Sequence, residues 1–340
     1  MDEINLNTSL RIIYIMETLF INKYQPIYFS DFELTPLFSQ FLQSLVQMKK
    51  INILFIGNMG SGKTSLLNAL IKEYYKDIEP SVYNDNIMYI NSLKEQGIHY
   101  YRNDVKTFCQ TCSSVSGKKK IVVLDDIDLM NEQSQQVFRN CIDKFNENVH
   151  FISSCSNIQK VNESLQSRLT IIQIQPLERE NMHTILKKIK NTEKIEMDED
   201  TEQFLLDISN NTAKVLINYM EKCKLLNQHI TLELAMNVCT NISFMKFSLY
   251  TEHLKKNELR DAIKIMYSIY DNGYSVMDIL DNYFLFVKVT KILSEEEKYI
   301  IIPFICKYIT IFYNIHEEEI ELALFTNSIL NAIHYNNTIK

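Results

Sequence analysis

The sequence predicts an α/β domain built on a parallel sheet, followed by a second half made only of helices. Three observations lead there. Short apolar runs alternate with helix-period segments across residues 51–174. Three of the six glycines, Gly57, Gly60 and Gly62, crowd the turn between the first such run and the first helical segment. Beyond Pro176 the apolar period is helical.

The elements come in order along the chain. Residues 51–56 form an apolar-rich run that ends at glycine and reads as a buried strand. Residues 64–75 then read as helix, with Leu66, Leu67, Leu70 and Ile71 on one face. Further strands are expected at 87–90, 121–124, 149–153 and 171–174, and helices at 104–112 and 131–145. Strands that alternate with helices imply crossover connections, hence a parallel sheet with helices on both faces. Residues 179–226 are helical with an acidic break at 198–200. From about 232 the pattern is helical again, with long amphipathic segments at 254–269 and 317–333 and strong punctuation only at Gly273 and Pro303. The chain thus divides into an α/β domain over 1–176, a small helical lid over 177–231 and a larger helical domain over 232–340.

Bulk properties bound the function class. A chain of 340 residues is too long for one ordinary core and fits two or three domains. Apolar residues make up 46% and charged residues 23%, a soluble globular balance, and no apolar run approaches ~18 residues, so no membrane span is expected. The acidic and polar start lacks the plan of a secretory signal, and seven scattered cysteines argue against a disulfide framework; both point inside the cell. Cys109 and Cys112 form a lone C-x-x-C without the second pair a zinc site needs. The net charge of −7 does not announce a nucleic-acid binder, so any DNA contact requires basic residues focused on one surface.

Residues 57–64 read G-N-M-G-S-G-K-T, which fits the P-loop pattern G-x-x-x-x-G-K-[ST] in its proper context between a strand and a helix. Backbone N–H groups from Gly57, Asn58, Met59, Gly60, Ser61 and Gly62 are expected to wrap the phosphates of ATP, beside the positive end of the helix that Ser65 helps to open. Lys63 is expected to reach the β- and γ-phosphates, and the Thr64 hydroxyl to hold Mg²⁺. Residues 121–128, I-V-V-L-D-D-I-D, supply the partner: a buried strand whose end emerges beside the loop, where ligands of open α/β sheets sit. Asp125 is the expected Mg²⁺-side carboxylate, and Asp126 is next in line to orient or deprotonate the attacking water.

The flanks narrow the reading. Residues 124–128, L-D-D-I-D, resemble the L-D-E-A-D of AAA+ clamp-loader ATPases, and residues 23–26, K-Y-Q-P, resemble the K-Y-R-P that opens replication factor C small subunits. Residues 91–108 resemble that family's N-A-S-D-E-R-G-I-D-V-V-R-E-K-I-K-x-F. The helix at 130–139 matches it at Met130, Gln135 and Arg139. Residues 166–169, Q-S-R-L, resemble its Q-S-R-C, and 273–280 resemble part of its C-terminal collar. The resemblance runs through nearly the whole chain in the family's order. It implies an AAA+ P-loop NTPase domain, a lid, and a helical collar that builds an oligomer. It also implies that Tyr24 and Pro26 line the adenine pocket, and that Arg168 reaches into the ATP site of a neighbouring subunit. The partners it implies are other clamp-loader subunits in a hetero-pentamer, a sliding clamp and primer–template DNA. The Asn-, Ile-, Lys- and Tyr-rich composition suggests an A+T-rich genome, so the expected compartment is a nucleus or a viral replication site.

The departures from the family carry consequences. Asp126 stands for a glutamate and is one methylene shorter; a misplacement of about 1 Å can reduce a rate ~100-fold, so slow hydrolysis is expected. Ser156 stands at the sensor asparagine, with Asn157 beside it as the alternative γ-phosphate contact. Lys214 replaces the lid arginine, keeping charge and losing the bidentate fork. Of the two arginines that would face DNA phosphates only Arg102 is kept, Gln96 taking the other place, with Lys94 and Lys106 close enough in sequence to compensate. Two rival readings use the same residues: another AAA+ machine, such as a helicase loader or branch-migration motor, and a subunit that binds ATP without turning it over.

Overall fold

The computed structural model describes residues 19–91, 101–312 and 316–339. Five strands form one parallel sheet: β1 (Ile53–Ile56), β2 (Ile87–Asn91), β3 (Lys120–Asp125), β4 (Val149–Cys155) and β5 (Thr170–Gln173), in the order β2-β3-β4-β1-β5. Each strand expected from the sequence is present, with ends moved by at most two residues. Strand β4 lies between β1 and β3, with Phe55 opposite Ser154 and Leu124 opposite Ser153.

Alternation along the strands builds two cores. Ile53 and Phe55 of β1, Ile121 and Val123 of β3 and Ile152 of β4 face one side, under helix α2 (Lys63–Tyr74) with its buried Leu66, Leu67, Leu70 and Ile71. Leu54, Val122, Leu124 and Phe151 face the other, under helix α4 (Glu132–Phe145) with Phe138 and Ile142. Ahead of the sheet in the chain, helix α1 (Pro36–Gln47) buries Leu42 on the first core. The helix expected at 104–112 is a π turn, Tyr101–Val105, running into α3 (Lys106–Gln110). Cys109 is buried there and Cys112 is exposed beyond the helix end, so the two thiols of the C-x-x-C face different surroundings.

The later helices are α5 (Arg179–Glu193), α6 (Glu199–Ile208), α7 (Ala213–Leu226), α8 (Leu232–Val238), α9 (Phe244–Lys255), α10 (Leu259–Tyr270), α11 (Val276–Val289), α12 (Glu295–Phe312) and α13 (Ile320–Ile339). The chain forms two compact units, 1–182 with 211–217, and 183–210 with 218–340. The segments expected as lid and collar fall mostly within the second. That unit has an aromatic centre in which Phe247, Tyr250, Tyr283, Phe286 and Phe325 pack edge-on or tilted, with Tyr283 and Phe286 stacked.

Two expectations do not hold. The segment 254–269 is not one helix: it breaks between α9 and α10, where Asn257 takes a φ of +61° and its N–H and that of Glu258 close on the Leu254 and His253 carbonyls. Asparagine tolerates the left-handed cap that glycine otherwise supplies, so the apolar period continues through a real break. Pro303 is no punctuation: it lies inside α12. It is exposed, as is Tyr299 four residues earlier, so the carbonyl that loses its N–H partner faces water. Gly273, with a φ of +93°, does end a helix as expected.

His150, on β4, is 2% exposed and its Nε2 has no hydrogen-bond partner among the described residues. Burial, then the Lys119 and Lys49 ammonium groups, pulls its pKa down to about 4. The imidazole is held neutral in the fold but protonates near 6.5 once unfolded, so stability is full above pH 6.5 and falls as pH drops toward 4. The loss is of order ~3 kcal/mol at full extent, from ~1.4 kcal/mol per pKa unit. Denaturant titrations at pH 7 and pH 4.5 should show a steeper loss for the natural chain than for His150→Leu; equal slopes would contradict the assignment.

Candidate active site

The site forms at the C-terminal ends of β1, β4 and β3. After β1 the chain turns through the glycine loop into α2, whose N-cap is Gly62 in a left-handed conformation (φ +90°, ψ +15°). A side chain would strain that backbone. At Gly60 (φ +78°) a Cβ would also lie 2.5 Å from the Thr212 methyl. The loop therefore packs directly on the residue before α7, two positions ahead of Lys214. Lys63 is 7% exposed, and its Nζ donates to the Gly57 and Asn58 carbonyls at 2.9 and 3.0 Å. The ammonium thus lies folded over its own loop.

Across β4, the Thr64 hydroxyl donates to Asp125 Oδ2 at 2.8 Å. This joins the two residues expected to hold Mg²⁺. Their oxygens make a hard donor set of the kind Mg²⁺ takes alongside phosphate oxygens. The Ser61 Oγ lies inside the loop against Gly57, with no hydrogen-bond partner among the described residues. The residues present thus fit a triphosphate with its cation.

The three acids have separate places. Asp126 is a non-glycine residue in the left-handed region (φ +52°, ψ +55°). Burial, then the adjacent Asp125, raises its carboxyl above the ordinary carboxylate value, with Lys63 opposing. Asp128 turns back: its Oδ2 accepts the Ser156 and Asn157 backbone N–H groups at 3.2 and 3.0 Å. Both sensor candidates are exposed at the end of β4. The Asn157 side chain is occupied, accepting from the Gln159 N–H at 2.9 Å as a helix cap, which leaves the Ser156 side chain better suited to face a ligand.

Sequence reasoning gave no role to three participants. Ser154, fully buried on β4, donates from Oγ to Asp125 and accepts the Asp126 N–H at 3.1 Å. Asp128 stands in the acidic run, which gives it no role of its own. Gln135, buried on α4, donates to the Met130 and Lys160 carbonyls at 3.2 and 3.0 Å and accepts the Asn162 N–H at 2.8 Å, tying the carboxylate turn to the segment after β4. A signal existed: a glutamine on the apolar face of a helix, and polar residues in an otherwise apolar strand.

Other expected residues lie apart from the loop. Arg168 Nε donates to Asp143 Oδ1 at 2.5 Å and its Nη1 to the Ser164 carbonyl at 2.6 Å. That guanidinium holds the Asp143 carboxyl below its usual range. Pro26 lines a cavity of about 770 Å³ against Asn68, Ile71 and Lys72 of α2, and Tyr89 of β2. Tyr24 is not among its lining residues and packs edge-on against Phe20. Lys214 and Lys106 are exposed. Lys94 lies outside the described residues, as does the side chain of Arg102, whose backbone lies in the π turn.

Residues 53–177 match the model of the ATPase family associated with various cellular activities (AAA). An AAA domain thus spans this segment, which holds the whole parallel sheet, the glycine loop and the acidic turn. Curated proteins similar to it include replication factor C small subunits. One from Sulfurisphaera tokodaii is 30% identical over 60% of this chain and 62% of that protein, so the chain spans less than two thirds of that relative. One from Methanococcus maripaludis is 27% identical over 83% of this chain and 89% of that protein. A putative replication factor C small subunit from Acanthamoeba polyphaga mimivirus is 26% identical over 79% and 83%. Among solved structures, the Thermotoga maritima RuvB Holliday junction branch migration motor superposes with a TM-score of 0.51 at 11% identity, over 68% of this chain and 79% of that one. This last likeness concerns the AAA+ fold alone.

The contact between Gly60 and Thr212 yields a test. Gly117 has nearly the same φ, +76°, with nothing within 4 Å of an added Cβ. Gly117→Ala should lower stability by about 1 kcal/mol through backbone strain alone. Gly60→Ala should lower it more and weaken nucleotide binding, read by thermal denaturation with and without ATP. Equal losses in the two variants would show that the loop tolerates separation from Thr212.

Proposed function

We propose that the chain is an ATP-dependent small subunit of a sliding-clamp loader, acting in a hetero-oligomeric ring, in the family a hetero-pentamer, on a clamp and primer–template DNA. The observation that carries this reading is the Thr64–Asp125 pair beside the glycine loop, in a chain whose relatives include replication factor C small subunits. Loop amides and Lys63 bind the phosphates of ATP, the ammonium exchanging the Gly57 and Asn58 carbonyls for phosphate oxygens. Thr64 and Asp125 would hold Mg²⁺, which would supply positive charge to offset the negative charge of the phosphates. Asp126 orients the attacking water and accepts its proton at the carboxylate, a task for which a raised proton affinity is suited.

Arg168 would serve the next subunit. In this chain it is tied to Asp143, and reaching a neighbour's γ-phosphate means exchanging that carboxylate for a more highly charged partner. The basic residues of 94–106 would meet DNA phosphates without reading sequence. No helix among the described residues is long and apolar enough to cross a membrane, and a nucleus or viral replication site suits the work proposed. A second reading, a subunit that binds ATP but turns it over slowly, is favoured by the short Asp126 side chain on a strained backbone.

Lys63→Ala should abolish ATP binding measured directly. In the assembled ring, Arg168→Ala should reduce DNA- and clamp-stimulated turnover by ~10³-fold or more at the site it completes, with ATP affinity kept at this chain's own loop. Unchanged turnover would refute the trans role. Asp126→Asn should stop turnover at this site; no change would favour the non-hydrolysing reading.

A further inference from the structure

We infer that Ser154 is a positioning residue that orients Asp125 toward the cation and sets the backbone of the water-orienting Asp126. The inference rests on the phosphate-site reading and extends it to a residue outside the P-loop and the acidic turn. The sheet order is the first support. Strand β4 separates the strand that carries the loop from the strand that carries the acids, so a β4 residue is the natural bridge between them. The register is the second. Ser154 lies opposite Phe55 on one side, and Ser153 opposite Leu124 on the other, which puts Ser154 level with Asp125. Residues level in a parallel sheet point to the same face.

The hydrogen bonds are the third support. Thr64 donates to Asp125 Oδ2 and Ser154 donates to Oδ1, so one carboxylate oxygen is claimed from the start of α2 and the other from β4. The carboxylate plane is thereby fixed between the loop and β4. The same Ser154 oxygen accepts the Asp126 N–H at 3.1 Å, at a residue whose φ of +52° needs outside support. One hydroxyl thus serves both acids. Two residues further on, Asp128 clamps the Ser156 and Asn157 N–H groups, so β4 and the acidic turn are joined at both ends of the turn.

Ser153 supplies the internal control. It is as buried as Ser154, on the opposite face of the strand, and its Oγ has no hydrogen-bond partner among the described residues. Removing that hydroxyl should leave the site untouched.

The test is a Mg²⁺ titration of binding of a fluorescent ATP analogue to the full-length chain, which needs no turnover. Loss of an outer partner that orients a metal-ligating group typically weakens metal affinity about 10–100-fold. Ser154→Ala should therefore raise the Mg²⁺ concentration for half-maximal nucleotide binding about tenfold or more. Ser154→Thr, which keeps the hydroxyl, should restore it, and Ser153→Ala should match the natural chain. In the assembled ring, Ser154→Ala should lower kcat with the KM for ATP at saturating Mg²⁺ little changed. A Ser154→Ala midpoint equal to the natural one, or an equal shift in Ser153→Ala, would overturn the inference while leaving the phosphate site standing. Nucleotide binding that Lys63→Ala does not weaken would instead remove the phosphate site, and this inference with it.

Discussion

Strand β4 runs between the strand that ends in the glycine loop and the strand that ends in the acids, and the site depends on that insertion. The loop and the acids are therefore not neighbours in the sheet, and they meet only above the end of β4. Thr64 reaches across from the start of α2, and Ser154 meets the acids from below. A parallel sheet brings all its carboxyl ends to one edge, so polar groups can gather there while the strands beneath stay apolar. Val122, Val123 and Leu124 are buried to within 1% of full, and the character of the chain changes within one residue at Asp125.

At that edge the acids differ through their surroundings. Asp125 is held by hydroxyls. Asp128 is bound by backbone amides and acts as a clamp. Asp126 carries the strained backbone and the raised proton affinity. A left-handed non-glycine residue costs about 1–3 kcal/mol and persists only where its neighbours over-determine it. Ser154 and the Asp128 clamp do so here, and Gln135 braces the same turn from α4. The site is thus a layer of linked polar groups, in which a shorter acid can be compensated or exposed by the residues that hold its backbone.

In the helical half, an aromatic cluster sits among aliphatic core residues, and asparagine closes three of the helix ends. Asn210, Asn211, Asn227 and Asn257 all have positive φ, in a chain with few glycines. This explains why the break inside 254–269 is illegible in the sequence. Its flanks, Leu254 and Ala262, are both buried and in phase, and nothing in the apolar period marks the turn between them. Pro303 misleads in the opposite direction. A proline inside a helix is tolerated where the orphaned carbonyl can reach water, and exposure is a property of the packed molecule.

The sequence by itself determined the strands of the sheet, the glycine loop that opens α2 and the acidic turn that follows β3. These are local patterns: apolar period, glycine spacing and a strand end fix them whatever else the chain does. Only the tertiary structure decided that Ser154 and Asp128 join the acidic turn to β4, that Gly60 packs on Thr212, and that Arg168 is held by Asp143 away from its own loop. Each of these pairs joins residues far apart in the chain, from about 25 positions to about 150. Such contacts depend on strand order and register, and no spacing within the sequence encodes which side chains those two will bring face to face.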